Sequence, residues 1–409
     1  MAAGGRQPGE RGAPPHPAGR LALLHRPGAA RAGRPVISPS LLERIACPVC
    51  LESEGCPGCS APPGHAACEK TYVQRVRCPC GGPDKVRLEP AGDSRRCPCC
   101  GSSYGLRRAE GYADLAPART VGALTHYVDQ EFQDRLRATD AEPLLSARVK
   151  ADMMRRMLGP ATGDAVLDLG CGAGKIALYA GRDGTRPAGV DLAPFFMPRA
   201  VAAVDLVRAD LRRLPFRKGA FPRAYSLDVL EHLDEAGVVE VLVEARRTVG
   251  PRGRLFVYTH AMESSAVARF QRAVNRLARR LGRAGLIDHQ REALRKSDHV
   301  NAIRSHEHFE SLCAQAGLEV AERRYYNVVF KAVVEDLGLR IYEQARRGGG
   351  RERPARDRDP GPPGPPLRAP GVLTLAAARG LTWLLKLDVV LFGGVRTGPF
   401  FGLLRPTAR

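Results

Sequence analysis

The stretch VLDLGCGAGKIALYA, residues 166–180, decides the fold of this chain. Its short apolar run closes on Asp168, and Gly170, Gly172 and Gly174 follow at alternate positions before a helical pattern begins. A glycine-rich turn between a strand and a helix lets a ligand come close to the backbone, beside the amides of a helix N-terminus. The stretch therefore predicts the first strand, turn and helix of an α/β ligand-binding sheet.

The spacing of the glycines indicates which ligand this turn holds. A dinucleotide fingerprint reads G-x-G-x-x-G, whereas here an aspartate precedes three glycines in the order D-x-G-x-G-x-G. A carboxylate at that place repels a pyrophosphate and suits a cation. The pattern resembles motif I of the class I S-adenosylmethionine methyltransferases, whose ligand carries a sulfonium and an ammonium. The resemblance implies cofactor contacts from Asp168, Gly170, Cys171, Gly172 and Gly174.

Two further acidic positions match the cofactor contacts of this family. Asp191 ends the expected second strand, where a carboxylate accepts hydrogen bonds from both ribose hydroxyls. In the family, an acidic residue after the third strand meets the adenine amine and its apolar neighbour packs on the ring. Asp210 and Leu211 match these two roles, and Leu192 and Leu227 complete the implied cofactor contacts.

The segment LPFRKGAFPRAYSLDVLEHL, residues 214–233, matches a family phrase that crosses the fourth strand. The whole resemblance is to the type 11, quinone-biosynthesis-like group and covers about 164–330. It implies a Rossmann-like, seven-stranded α/β fold, and strands alternate with helices in this order from residue 164. The expected strands are 165–169, 187–192, 203–208, 224–227, 254–259, 319–326 and 399–406.

The catalytic sheet is expected to be one of several parts of the chain. Composition and motifs divide it into a disordered basic tail, a zinc-ribbon-like module, the methyltransferase domain, a flexible linker and a segment that closes the domain. The closing segment carries a helix at about 372–391 before the last strand, and a peripheral membrane-binding helix is the alternative. The respective bounds are 1–40, 41–116, 117–345, 346–370 and 371–409.

Ten of the twelve cysteines fall between Cys47 and Cys100. Cys47 and Cys50, with Cys97 and Cys100, form two C-x-x-C turns that suit a tetrahedral structural Zn²⁺. The module resembles the zinc ribbons found beside methyltransferase domains, such as that of the bacterial ribosomal-RNA guanine-N1 methyltransferases. The inserted cysteines between the two turns leave room for a second zinc.

Three histidines are candidates for a general base, which methyl transfer needs only if the acceptor is protonated. His260 follows the fifth strand, His299 lies in a family-like segment before the sixth, and His232 closes the phrase DVLEHL. A helix would place Asp228, Glu231 and His232 on one face, because they are spaced i, i+3 and i+4. In some quinone O-methyltransferases a similar group binds a divalent metal, and in other relatives it is structural.

The net charge of +20 is concentrated in a few segments. Residues 1–40 hold six arginines against one acid, and residues 346–370 hold seven against three. Residues 262–296 hold nine basic against three acidic residues and predict a basic amphipathic helix. This helix suits a substrate lid, an RNA surface, a membrane surface, or plain packing on the core. No run of 18 uncharged apolar residues occurs, so no integral membrane span is expected.

The predicted activity is methyl transfer from S-adenosylmethionine to a small-molecule or lipid-like acceptor. Methyltransferases that act on planar base amines carry an N-P-P-Y-type tetrad after the fourth strand. This chain has Ser226-Leu227-Asp228 there instead, which disfavours the alternative that the acceptor is a ribosomal or transfer RNA base. A non-catalytic zinc-ribbon adaptor is the third hypothesis. Since no signal peptide is evident and the cysteines are clustered, a cytoplasmic location is expected.

Overall fold

The structure is a computed structural model that describes residues 37–51, 84–116, 142–263, 265–284, 299–300, 302–326, 330, 334 and 372–407. The chain divides into two compact units, Met1–Arg34 and Pro35–Arg409, and every described residue belongs to the second. The predictions for residues 1–36 of the basic tail, the inserted cysteines of the module and the linker lie outside the described residues. The last four residues assigned to the tail, 37–40, are described: Ile37 and Ser38 are buried, and a helix begins at Pro39.

The cysteine-rich part folds into one short helix and six short strands. Helix α1 begins at a proline and is capped by Ser38, whose side chain accepts a hydrogen bond from the Leu41 amide. Strands β1 and β2 pair with each other in a two-stranded sheet. The elements are α1 (Pro39–Arg44), β1 (Ala46–Leu51), β2 (Lys85–Arg87), β3 (Glu89–Ala91), β4 (Ser94–Arg96), β5 (Ser103–Arg107) and β6 (Tyr112–Asp114).

The rest of the described chain alternates helices and strands. In chain order these are α2 (Leu145–Leu158), β7 (Ala165–Leu169), α3 (Lys175–Ala180), β8 (Arg186–Asp191), α4 (Pro198–Val201), β9 (Asp205–Arg208), β10 (Arg223–Leu227), α5 (Glu235–Val249), β11 (Arg254–His260), α6 (Ala266–Arg283), α7 (His306–Gln315), β12 (Leu318–Tyr325), α8 (Val372–Phe392) and β13 (Pro399–Pro406). The seven expected strands form within two residues of their predicted bounds. The helix predicted over 262–296 is described from Ala266 to Arg283.

The strands assemble in the order β12-β13-β11-β10-β7-β8-β9-β6-β5-β4-β3. Strands β7 to β11 run parallel, whereas β13 lies antiparallel to both β11 and β12. The predicted count of seven strands is wrong for the described sheet, which has eleven, because β6 pairs in parallel with β9 and brings β5, β4 and β3 with it. The unpaired backbone of an edge strand readily accepts such an addition.

Helices cover both faces of this sheet. Alternate residues of β7 enter different cores, since Val166 packs with α2 and α8 while Leu167 packs with α5 and α7. The core on the α5 side also contains Cys47, Cys97 and Leu106 of the cysteine-rich part. In the described part of the chain, no helix is both long and apolar enough to cross a membrane.

Candidate active site

The glycine turn after β7 is shaped by two different constraints. Gly170 has a φ of 79°, and a Cβ there would lie 2.4 Å from Cγ2 of Val229. Gly172 has a φ of 51°, and a Cβ there would meet no atom within 4 Å. The turn is therefore packed against the segment after β10 at Gly170, and its backbone is open at Gly172, where a ligand can approach it.

Asp191, the predicted ribose contact, lies beside this open backbone. Its Oδ2 accepts a hydrogen bond from the Gly172 amide at 2.8 Å, and its Oδ1 accepts one from the Ala193 amide at 2.9 Å. Burial raises the pKa of Asp191, although these amides favour the ionised form. A carboxylate has about four lone-pair sites, so both oxygens keep acceptor capacity for a ligand hydroxyl.

Asp168 is buried beneath the same turn. Its Oδ2 accepts a hydrogen bond from the Tyr225 hydroxyl at 2.9 Å. Burial raises the pKa of Asp168 to about 8; the Tyr225 hydrogen bond lowers it and the negative charge of Asp191 adds to the rise. Without a cation nearby, this carboxyl is therefore mostly protonated at neutral pH.

This protonation predicts a pH-dependent affinity for a cationic cofactor. A cation favours the ionised carboxylate, so S-adenosylmethionine should bind more tightly as the pH rises from 6 towards 8, and binding should release a proton. Isothermal titration calorimetry in buffers of different ionisation enthalpy measures both effects. The Asp168→Asn variant serves as the control and should show neither. Equal pH dependence in the two proteins would contradict the prediction.

The predicted adenine contact is engaged within the protein. Asp210 caps a single 3₁₀ turn at 211–213, and both of its oxygens accept hydrogen bonds from Arg212, the shortest at 2.7 Å. Leu211 is the first residue of that turn and packs against the core. The roles of Asp210 and Leu211 towards adenine therefore stay predictions, and an adenine amine would share the carboxylate with Arg212.

The other predicted cofactor contacts lie along the same edge of the sheet. Cys171 is buried. Its Sγ packs so closely on Gly189 that a Cβ at residue 189 would lie only 2.7 Å from the sulfur. The Leu192 carbonyl accepts a hydrogen bond from Nε of Arg208 at 3.2 Å. Leu227 is the last residue of β10. All three follow or end strands at their carboxyl ends, where α/β sheets bind ligands.

The segment after β10 is not the helix that its spacing predicted. Asp228 has a φ of 56°, an uncommon backbone conformation for a non-glycine residue, and residues 230–232 form one 3₁₀ turn. The Asp228 carboxylate accepts hydrogen bonds from Nζ of Lys150 at both oxygens, at 2.5 and 2.7 Å. That ammonium also lies 4.2 Å from the ring centroid of Tyr258. The prediction that Asp228, Glu231 and His232 share one face of a helix is therefore wrong.

Glu231 pairs with a different histidine from the one its spacing suggested. It is buried, its Oε2 accepts a hydrogen bond from the Thr259 hydroxyl at 3.1 Å, and its Oε1 lies 3.3 Å from Nδ1 of His260. Burial alone would raise the pKa of Glu231, but the His260 ring outweighs it and holds the pKa at about 2. Nε2 of His260 lies 3.5 Å from the Tyr258 hydroxyl. The Glu231 carboxylate therefore lies beside one imidazole nitrogen without forming a well-aligned hydrogen bond, and the other nitrogen lies near a phenol.

The three candidate histidines gather around Glu231. The rings of His232 and His299 lie perpendicular, with centroids 4.6 Å apart. The Val300 amide donates a hydrogen bond to the Glu231 carbonyl at 2.9 Å, which joins this pair to Glu231. Sequence reasoning missed Lys150 and Tyr258, because neither belongs to a motif and both reach the site only through packing.

Asp228, Glu231 and His260 offer donor atoms within 4.8 Å of one another. Such a set resembles a divalent-cation site. However, the Lys150 ammonium already compensates the Asp228 carboxylate, so a cation would have to displace it. The geometry fits an acid–histidine pair better than a metal centre.

The four outer cysteines converge as the C-x-x-C spacing predicts. Their sulfur atoms all lie within 4.8 Å of one another, and Sγ of Cys47 is 3.9 Å from Sγ of Cys100. Tetrahedral thiolates at the usual Zn–S distance are separated by about 3.8 Å. The Cys50 amide donates to Sγ of Cys47 at 3.4 Å, and Cys97 is buried. This donor set fits Zn²⁺.

Strand β6 connects the cysteine-rich part to the predicted cofactor edge. Oδ2 of Asp114 lies 3.1 Å from Nη1 of Arg208, the residue that also holds the Leu192 carbonyl. The ring of Tyr112 packs edge-on against Phe196, with centroids 5.5 Å apart. The segments that carry Asp191 and Asp210 are therefore braced by residues of the cysteine-rich part.

A buried ion pair joins the same two parts. Nζ of Lys85 lies 3.0 Å from the Pro48 carbonyl, 2.8 Å from the Leu214 carbonyl and 3.1 Å from Oε2 of Glu244. Burial lowers the pKa of Lys85 to about 7, against the opposing influence of Glu244. Burial would raise the pKa of Glu244, but Arg247 and Lys85 outweigh it and hold the pKa at about 2.

A comparison with protein families matches the part of the chain that contains the glycine turn. Residues 167–257 match the family described as a methyltransferase domain. The match shows that residues 167–257 are similar to the methyltransferase domains of that family. The matched residues include the glycine turn, Asp191, Asp210, Glu231 and most of β11. None of the curated proteins compared with this sequence matches it.

Several solved structures are similar to this chain at low sequence identity. Phosphoethanolamine N-methyltransferase 2 of Haemonchus contortus is 15% identical, with a TM-score of 0.41 over 69% of this chain and 58% of that one. The chain thus spans somewhat over half the length of that enzyme. Geranyl diphosphate C-methyltransferase of Streptomyces coelicolor is 15% identical, with a TM-score of 0.36 over 64% and 76%. The complex of the Haloferax volcanii Trm112 methyltransferase activator with a methyltransferase is 22% identical, with a TM-score of 0.33 over 44% and 72%.

Proposed function

We propose that the protein transfers a methyl group from S-adenosylmethionine to a hydroxyl or amine of a small-molecule acceptor, with His260 as general base. The observation that carries this proposal is the proximity of the buried Glu231 carboxylate, whose pKa is lowered by the His260 ring, to Nδ1 of His260 at 3.3 Å. An imidazole with a carboxylate beside one nitrogen accepts a proton at the other. The pair lies at the carboxyl ends of β10 and β11, beside the glycine turn that ends β7.

The cofactor, when bound, supplies a methyl group made electrophilic by the sulfonium. The open backbone at Gly172 receives its methionine portion, Asp191 binds the ribose hydroxyls, and Asp210 with Leu211 contacts the adenine. These contacts would orient the bound cofactor towards the acceptor, and alignment of reacting groups supplies a large part of the rate of such a transfer. S-adenosylhomocysteine is the second product.

Nε2 of His260 removes the acceptor proton as the new bond to the methyl carbon forms. The carboxylate of Glu231 stabilises the resulting imidazolium. The ring of Tyr258, with the Lys150 ammonium above it, forms a wall next to His260. A protonated hydroxyl or amine is the acceptor group that needs these residues.

A small molecule is favoured over an RNA base as the acceptor. Residues 226–228 carry no N-P-P-Y-type tetrad for planar amines, and Asp228 is occupied by Lys150. To identify the acceptor, the purified protein is incubated with methyl-labelled S-adenosylmethionine and either a protein-free metabolite extract or total RNA. Label in the metabolite fraction supports the proposal, whereas label confined to RNA would establish the RNA alternative.

Cofactor binding separates the enzyme from a non-catalytic adaptor. We expect the Asp191→Ala variant to lose most of its affinity for S-adenosylmethionine, because the ribose hydroxyls lose their acceptor. Asp183→Ala, which changes a half-exposed carboxylate paired with Arg155, should bind like the wild type. Calorimetry measures both. Absence of binding to the wild type, or equal binding to both variants, would favour the adaptor.

Zinc at the four outer cysteines is proposed to support the cofactor edge through β6. Cys97→Ser removes a buried ligand, so the protein should lose this zinc, unfold at a lower temperature and bind S-adenosylmethionine more weakly. Cys99→Ser, an exposed neighbour outside the set, is the control. Metal content, thermal unfolding and calorimetry test these outcomes. Unchanged zinc in Cys97→Ser would refute the assignment.

The finer classification is also proposed. The zinc-ribbon-like module is assigned to 41–116, the methyltransferase domain to 117–345, and its closing segment to 371–409. Clustered free thiols favour a reducing compartment and hence a cytoplasmic location. The order of the motifs supports membership in the quinone-biosynthesis-like group.

A further inference from the structure

Helix α8 leaves one apolar face uncovered. Trp383, Val390 and Leu391 are 64%, 68% and 61% exposed, and their spacing places them on one side of the helix. Leu385 and Val389, on the other side, pack into the core with α2. Single exposed apolar residues are ordinary, but a contiguous exposed set marks an interaction surface.

Helix α6 combines exposed apolar residues with a one-signed charge. Phe270 and Leu277 are 45% and 48% exposed, two helical turns apart, whereas Gln271 and Ala278, the residues after them, are buried. The helix contains six arginines and no acidic residue. Its exposed side therefore carries an apolar edge beside a dense positive charge.

The two helices meet at the turn that follows α8. Oγ1 of Thr397 bonds to Oε1 of Gln271 at 3.1 Å, and Oγ of Ser265 donates to the Arg396 carbonyl at 3.2 Å. Val395 is exposed two residues before Thr397, and Phe270 directly precedes Gln271. An exposed apolar residue therefore lies next in sequence to, or two residues from, the hydrogen bond that joins α6 to this turn.

We propose that this surface, formed by Phe270 and Leu277 of α6, Trp383, Val390 and Leu391 of α8, and Val395, docks onto an anionic lipid membrane. Exposed arginines at 276, 279 and 280 would meet lipid phosphates while the apolar side chains enter the boundary of the acyl region. An RNA backbone would satisfy the arginines but would leave Val390 and Leu391 in water. A bilayer satisfies both, so the charge and the apolar row together select the membrane.

The placement relative to the candidate site is consistent with docking. The Ala261 amide, directly after His260, donates to the Gly398 carbonyl at 2.9 Å in the same turn. Met262, the next residue, is exposed. The docking surface therefore adjoins the end of β11 that carries the proposed base. The docking proposal does not depend on His260 acting as that base.

The chain contains a single tryptophan, which makes the proposal directly measurable. The full-length protein is mixed with vesicles of phosphatidylcholine alone or with added phosphatidylglycerol. We expect co-sedimentation only with the anionic vesicles, weakened by salt, together with a blue shift of Trp383 emission and its quenching by brominated acyl chains. Absence of binding, or binding with unchanged Trp383 emission, would overturn the proposal.

Two sets of substitutions at exposed positions separate the contributions. Combined Arg276→Gln, Arg279→Gln and Arg280→Gln, and separately Val390→Ser with Leu391→Ser, should each abolish co-sedimentation. Val49→Ser changes an exposed apolar residue of the cysteine-rich part and should have no effect. If the arginine substitutions abolish co-sedimentation and the Val390→Ser, Leu391→Ser protein still binds, the contact is purely ionic and the proposed role of α8 is overturned. Binding of poly(U) without any vesicle binding would assign the arginines to RNA.

Discussion

Replacement of His260 by glutamine is expected to lower the rate of methyl transfer by roughly 10²- to 10⁴-fold, the usual contribution of a positioned general base. The glutamine keeps a polar side chain but cannot take up the acceptor proton. Affinity for S-adenosylmethionine should not change, because His260 contacts Glu231 and Tyr258 rather than the glycine turn. Single-turnover rates with the acceptor found in the metabolite fraction, together with calorimetry, measure the two quantities.

Two further variants distinguish a base from a merely structural histidine. Glu231→Gln keeps the size of the side chain but removes the negative charge beside Nδ1 of His260, so the rate should fall while the affinity for S-adenosylmethionine stays unchanged. His232→Gln changes the histidine that packs against His299 rather than the one at the Glu231 carboxylate, and a much smaller loss is expected. Equal losses for the His232 and His260 variants, or parallel losses of rate and cofactor affinity, would contradict the assignment of the base.

Replacement of Lys85 by methionine is expected to destabilise the protein by about 3 kcal/mol, the lower end of the range for breaking a buried ion pair. The methionine fills a similar volume but leaves Glu244 with one fewer partner and the Pro48 carbonyl without its ammonium donor. The loss stays near the lower end because Arg247 continues to bind both oxygens of Glu244. Urea unfolding of the full-length protein at neutral pH measures the difference.

Arg217→Met is the matched control for this substitution. Arg217 pairs with Asp84, the residue before Lys85, across the same contact but in a partly exposed position. Partly exposed pairs contribute about 1 kcal/mol or less. Similar losses of stability in the two variants would show that burial of the Lys85–Glu244 pair has no special weight.

The Lys85 variant should also change the acid sensitivity. Because the folded pKa of Glu244 is held at about 2, below its ordinary value of 4.5, its contribution to stability is full above pH 4.5 and is lost as the pH falls towards 2. Lys85→Met weakens the attraction that lowers this pKa. The variant should therefore lose less stability than the wild type between pH 4.5 and 2, as followed by urea unfolding at each pH.

The local elements were largely predictable because their causes are local. The apolar run before Asp168 produced β7 with its predicted bounds, and PFFGLLRP produced β13 at Pro399–Pro406, also as predicted. Each C-x-x-C turn sets the spacing of its own pair, and the two turns meet, with Cys47, Cys50 and Cys97 in one core and Cys100 exposed beside it. These features follow from periodicity and turn chemistry within a few residues.

The errors of prediction arose where a local pattern met a long-range contact. Spacing alone predicted that Asp228, Glu231 and His232 share one face of a helix. In the structure Lys150 binds Asp228, and the φ of 56° at Asp228 is incompatible with a helix starting there. The sheet gained β6 because the free edge of β9 was available to a strand about 90 residues earlier in the chain. Neither contact leaves a periodic signal.

The sequence by itself determined the strands of the α/β sheet, the glycine turn and the cysteine cluster, since each depends on residue types at short fixed spacings. Only the tertiary structure decided that Glu231 lies beside His260, that Lys85 is buried against Glu244, and that β6 pairs with β9. Each of these contacts joins residues far apart in the chain. Their energies come from burial and charge compensation, which exist only once the sheet and its helices have packed.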